Sequence, residues 1–213
     1  PLVGHVSRLA PEKNQSFLLE ALIAFLEEQP DAHGLIVGDG ESGEELRARG
    51  SESPVSERLH FAGVRKGQQL ADAYAAMDVF LFTSKSETQG MVLIEAMAAG
   101  CPVVALRARG VEDVVHDTAT GRLVDAERAA AFVEPLRWAL EPRDALRPAL
   151  AATVRPHSLH ATARTNLADS SRASASPLPS SAASSTMRCA VRTPSGRSGR
   201  IAWVRWRRRC SSA

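Results

Sequence analysis

The 213-residue chain has little cysteine, few aromatics and no long apolar run. Its cysteines are Cys101, Cys189 and Cys210, an odd number with no CxxC or CxxxC spacing, so neither a disulfide scaffold nor a zinc site is indicated. A reducing compartment is the default, and the expected localisation is the cytoplasm. No apolar run reaches the roughly 18 residues that span a bilayer. The chain begins at Pro1 inside a strand-like run, without initiator Met or signal peptide, so the natural N-terminus is expected to lie further upstream. Lysine is missing from the last stretch. From Arg155 to Ala213 there are 11 arginines and one acid, Asp169, for a net charge of +10. The first 154 residues carry 15 bases and 23 acids, a net of −8, so the bland overall charge of +2 hides two different polymers.

What is present in residues 1–154 is alternation. PLVGHV (1–6), HGLIV (33–37), RLHFAG (58–63), DVFLFT (78–83), PVVAL (102–106) and GRLV (121–124) read as strands. Between them come amphipathic runs. From Asn14 to Gln29, Phe17, Leu18, Ala21, Leu22, Phe25 and Leu26 recur at i, i+3, i+4 spacing, which predicts a helix. GEELRAR, GQQLADAYAAM, Gly90–Ala99 and Glu127–Leu140 are the others. Near-continuous apolar strands alternating with helices predict an α/β fold, a Rossmann-like doubly wound parallel sheet covered on both faces.

Beyond residue 155 the pattern stops. Ser, Ala and Pro dominate residues 170–186, with too few large apolar groups to offset the entropy of ordering. Residues 155–213 are therefore expected to be a disordered or non-native low-complexity tail, such as a frameshifted read of GC-rich DNA would give. The competing reading is a basic-aromatic membrane-surface or nucleic-acid segment, because Trp203 and Trp206 alternate with arginines. The lack of periodicity favours the former. Nucleic acid is not an expected partner, and a peripheral membrane contact stays open.

Three stretches could carry chemistry. Gly38-Asp39-Gly40-Glu41-Ser42-Gly43 matches the G-x-G-x-x-G of dinucleotide sites. Its acids, with Glu44 and Glu45, would repel a pyrophosphate at the helix start, and no acid ends the next strand. A turn before an acid-capped helix is the better reading. In SRLAPEKN, Arg8 and Lys13 lie just past the first strand, where open α/β sheets bind ligands, and a guanidinium with an ammonium suits a diphosphate. The bland alternative is two solvated charges with Glu12 pairing one of them. In SKSETQGMVLIEAMAAG, Gly90 opens a helix whose first amides, at Gly90, Met91 and Val92, can meet an anion or a sugar hydroxyl. Glu95 is the only charge of that apolar and therefore buried helix, and a buried glutamate needs a partner. It stands about 7–8 Å above Gly90. Glu87 lies in the preceding loop. The bland alternative is an exposed Glu87 and a Glu95 paired with a structural base. A glycosidase using both carboxylates would leave Arg8, Lys13 and the glycine helix start unexplained.

Together, SRLAPEKN, IVGDGESGEELR, FAG, the run from Ala71 to Ala105 and GRLV resemble the C-terminal, donor-binding half of GT-B glycosyltransferases of the GT4 (glycosyl transferase group 1) family, over about residues 3–150. The resemblance implies a retaining, metal-independent hexosyltransferase. By that likeness no cofactor is needed. The donor would be a nucleotide-diphosphate sugar such as a UDP- or GDP-hexose, and the acceptor a glycolipid or polysaccharide. Arg8 and Lys13 would hold the diphosphate, Glu87 would contact the donor sugar beside the reacting centre, the amides at Gly90, Met91 and Val92 would touch sugar and phosphate, and Glu95 would accept hydrogen bonds from the ribose. Ser7 stands where many members have glycine. The family's N-terminal, acceptor-binding domain and its final helix are missing, so the chain is expected to bind donor without turning over alone. The alternative is a non-catalytic nucleotide-sugar-binding or interaction domain.

Overall fold

The computed structural model describes residues 1–86, 90–141, 149, 150 and 152, together with the backbone of 187–192 and 201–206. Strands β1 (Leu2–Val6), β2 (His33–Val37), β3 (Leu59–Gly63), β4 (Val79–Phe82), β5 (Val103–Leu106) and β6 (Gly121–Val124) alternate with helices α1 (Gln15–Glu28), α2 (Gly43–Glu52), α3 (Gln68–Ala76), α4 (Met91–Ala98) and α5 (Ala130–Leu140). All six strands run parallel in the order β3-β2-β1-β4-β5-β6. This is the expected doubly wound sheet. Its order reverses between β1 and β4, and a crevice opens outside the carboxyl ends of these two strands.

The strands read as continuous apolar runs because both faces are covered. In β4, Val79 and Leu81 point into one core and Phe80 and Phe82 into the other. The first core is closed by Leu18, Leu22 and Phe25 of α1 and by Phe132 and Leu136 of α5. The second is closed by Ala73 and Tyr74 of α3 and by Leu93, Ile94 and Met97 of α4. Burying a large apolar side chain contributes roughly 1.5–3 kcal/mol, so these two layers fix the helices on the sheet and thereby the rim of the crevice.

Residues 155–186, 193–200 and 207–213, where the tail is expected to lack order, lie outside the described residues. Within that stretch two segments are described: β7 (Met187–Arg192) and β8 (Ile201–Trp206) pair antiparallel as a separate two-stranded sheet. Ile, Val and Trp favour extended backbone, and six residues are enough for a strand although too few for a helical period.

Candidate functional site at the sheet switch point

The glycine motif at 38–43 serves the backbone. Gly38 has φ +134°, and a Cβ there would lie 1.8 Å from the Ser7 carbonyl oxygen. The loop after β2 is laced to the loop after β1: Ser7 N–H donates to the Val37 carbonyl at 3.1 Å, Leu9 N–H to that of Asp39 at 3.0 Å, and Ser42 N–H to that of Leu9 at 3.0 Å. Asp39 accepts from Arg47 at 2.9 Å and from Gly40 N–H at 3.0 Å. The Arg47 bond, then the Gly40 amide, holds the Asp39 carboxyl below the usual carboxylate range. Where a pyrophosphate would have to sit, the chain has placed its own anion.

Arg8 and Lys13 leave β1 on one wall of the crevice. Arg8 is 69% exposed and pairs with Glu12. A short helical turn, Pro11–Lys13, carries Lys13 toward the other wall, where its Nζ donates to the Ser86 carbonyl at 3.5 Å. Ser86 Oγ donates back to the Glu12 carbonyl at 3.0 Å. The two loops are thus tied across the switch point, as Arg8 and Lys13 would need to be if they are to face a ligand held at the start of α4.

Four residues past Ser86 the chain reaches Gly90, in the left-handed region at φ +60°. A Cβ there would stand 3.0 Å from Val114 Cγ2 and 3.7 Å from the Gly110 carbonyl oxygen, so glycine suits both the dihedral and the space. The Gly90 carbonyl accepts from Leu93 and Ile94 and so starts the helix, while the amides of Met91 and Val92 lie in its first turn, outside the helical ladder. Glu87 falls outside the described residues.

Glu95 departs from the expectation of a fully buried charge. It is half-buried, as are Met91 and Val92, which pack at the margin of the second core. Its protein partner is not a base. The Tyr74 hydroxyl of α3, on a side chain 3% exposed, donates to Glu95 Oε2 at 2.9 Å. Burial first, then the Glu95 charge, pushes the Tyr74 phenol well above its usual range, so it stays a donor. One carboxylate oxygen is oriented by the fold, and the other has lone pairs to offer.

Several residues of this site carried no signal in the sequence. Asn14 adopts φ +56°, a conformation Asn tolerates, and its Nδ2 donates to the Thr83 carbonyl at 3.2 Å and to Glu127 Oε1 at 2.7 Å. Thr83 Oγ1 donates back to the Asn14 carbonyl at 3.2 Å. Lys85 pairs with Glu127, whose carboxyl is held below its ordinary value by that bond and then by Asn14. Beneath them His5 and Gln15 are buried, at 1% and 2% exposure. Among the described residues no three His, Cys, Asp or Glu side chains are grouped to hold a metal ion, and no helix is long and apolar enough to cross a membrane.

With this geometry in hand, the comparisons with known proteins are specific. Residues 1–142 match the family model described as "Glycosyl transferases group 1". The chain belongs to the group 1 glycosyl transferases. It is 39% identical over 122 residues to a sulfoquinovosyl transferase of Arabidopsis thaliana, covering 57% of this chain and 22% of that protein. It is 40% identical over 127 residues to a GDP-mannose-dependent alpha-mannosyltransferase of Mycolicibacterium smegmatis, covering 60% of this chain and 31% of that protein. The chain therefore spans less than a third of either relative. Among solved structures, the Anabaena HepE protein in complex with UDP and glucose superposes with a TM-score of 0.64 at 27% identity, over 80% of this chain and 47% of that one. The C-terminal domain of a glycosyl transferase group 1 family protein from Francisella tularensis has the same fold, with a TM-score of 0.62 at 20% identity, over 74% of this chain and 84% of that one. The six-stranded sheet and its flanking helices are thus those of GT-B glycosyltransferases.

Proposed function

We propose that residues 1–154 are the donor-binding half of a retaining glycosyltransferase. It transfers a hexose from a nucleotide-diphosphate sugar to a glycolipid or polysaccharide acceptor, with the acceptor-binding half lying outside these residues. The observation that carries the reading is the convergence at the β1/β4 switch point of the Arg8/Lys13 turn and the glycine-opened start of α4, tied together through Ser86. The lengths of the relatives support it, as does the match to a structure that is itself a C-terminal domain. The UDP and glucose bound by HepE, and the GDP-mannose named for the mannosyltransferase, support a nucleotide-sugar donor.

The chemistry follows from charge. As the bond from the sugar to the diphosphate breaks, negative charge grows on the departing oxygen, and preorganised donors aimed at it lower the barrier. Arg8 supplies a fork, Lys13 a point charge, and Met91 and Val92 supply amides at the positive end of the α4 dipole. Glu95, oriented by Tyr74, accepts from the ribose hydroxyls. Glu87 steadies the sugar as it gains oxocarbenium character. Isothermal titration of the purified chain with UDP and with GDP tests the donor half of this reading. Heat of binding in the micromolar to millimolar range is expected, and no heat at millimolar nucleotide from a folded sample rejects it. Robust sugar transfer by this chain alone would reject the division of labour.

A further inference from the structure

Under the Arg8 turn lies a chain of polar side chains, buried at His5 and Gln15 and half-buried at Ser7, that the reaction as described does not use. His5, on β1 between the rings of Phe80 and Phe82 (centroids 6.0 and 6.3 Å away), places Nδ1 2.9 Å from the Leu81 carbonyl of β4. A carbonyl can only accept, so Nδ1 carries the proton and Nε2 of the neutral ring is an acceptor. Nε2 lies 2.8 Å from Ser7 Oγ. Gln15 Nε2, from the first turn of α1, donates to the same hydroxyl at 2.6 Å and approaches the Arg8 carbonyl at 3.4 Å. Ser7 Oγ is also 2.9 Å from that carbonyl. The single Ser7 proton is therefore shared between His5 Nε2 and the Arg8 carbonyl, with Gln15 covering what the hydroxyl leaves. Gln15 Oε1 is buried with no partner among the described residues. Turning that amide round would satisfy the oxygen with the Ser7 proton, but would leave His5 Nε2 without a donor and the Arg8 carbonyl with the Ala10 N–H alone.

We propose that His5, Ser7 and Gln15 are positioning residues that set the peptide between Arg8 and Leu9, and with it the diphosphate-holding turn, against the end of β4. The Leu9 side of this peptide is already fixed by its N–H bond to the Asp39 carbonyl. The chain clamps the carbonyl side. It rests on the donor-site reading for its function, although its geometry stands apart from it. A glycine at position 7 would leave His5 Nε2 and the Gln15 amide without their common partner, so the hydroxyl gives this turn a hold that a glycine cannot.

The test uses the full chain, with UDP as probe. Ser7→Ala is expected to weaken UDP about three- to tenfold, the range of one hydrogen bond, with Ser7→Thr restoring it. Without nucleotide, the His5 ring nitrogens should show an Nδ1–H tautomer, and the Nε2 resonance should move toward an unbonded acceptor in Ser7→Ala. Exchange of the Leu9 amide should quicken in Ser7→Ala and in His5→Phe. An Nε2–H tautomer, an Nε2 resonance indifferent to Ser7→Ala, or unchanged Leu9 exchange overturns the proposal. So does UDP affinity unmoved in Ser7→Ala. If the wild-type chain takes up no UDP, the donor-site reading fails and the nucleotide-free measurements alone decide.

Discussion

Lowering the pH should destabilise this domain well before its carboxylates are protonated. Two buried imidazoles are responsible. Burial pushes His5 down to about 4, the Leu81 carbonyl opposing it only in part. Burial, then the charge of His33, pushes His60 down to about 4 as well. His33 and His60 stack at 5.3 Å with Nδ1 and Nε2 3.1 Å apart, and His33 is itself lowered, by burial first and then by the N-terminal amine and Arg58. In the unfolded chain each histidine titrates near 6.5. Between those values the unfolded state binds more protons than the folded one, so stability is intact above about pH 7 and is lost as the pH falls through 6.5 toward 4. At pH 5 the unfolded ring is favoured by a factor of about 30, or about 2 kcal/mol for each of His5 and His60. Together that is about 4 kcal/mol, a large share of the ~5–15 kcal/mol of a typical domain. Urea unfolding followed by circular dichroism at pH 7 and pH 5 reads it directly. With a slope of about 2 kcal/mol per molar the midpoint should drop by about 2 M. His60→Phe keeps a ring on His33 and should recover about half of the loss. A midpoint that moves by less than about 0.5 M between the two pH values would refute the burial argument.

Other perturbations address the site. Tyr74→Phe removes one charge-assisted bond to Glu95 and should cost about 1–2 kcal/mol of stability, read as a lower thermal midpoint, and weaken UDP or GDP several-fold. Gly38→Ala drives a Cβ into the Ser7 carbonyl at a φ only glycine tolerates and should cost at least ~2 kcal/mol, seen as loss of soluble folded chain. Arg8→Ala and Lys13→Ala should each weaken nucleotide diphosphate by about tenfold or more in calorimetry while uridine binding, where measurable, stays unchanged. Glu12→Gln frees the Arg8 guanidinium from its exposed carboxylate partner and should tighten UDP about two- to fivefold, most at low salt.

How far the sequence carries this picture depends on the range of the interaction concerned. Strand and helix existence is written in local pattern: each of β1–β6 and α1–α5 stands where the sequence puts it, within about three residues. The glycine run 38–43 is legible for a related reason, since the crowd of acids around it is itself local and Asp39 finds its cation eight positions on, at Arg47. The partners that build the crevice are another matter. Leu81 meets His5 from 76 residues away, Thr83 meets Asn14 from 69, and Glu95 meets Tyr74 from 21. Each pairing is created by strand order, and no spacing rule encodes a crossover. That is why Tyr74 passes for a core aromatic of an amphipathic helix and Gln15 for a polar residue on its flank. It is also why a base is the wrong partner to expect for Glu95. A cation would neutralise the carboxylate and compete with a ligand for both of its oxygens. A buried phenol that cannot readily ionise holds one oxygen by a hydrogen bond and leaves the second to another donor.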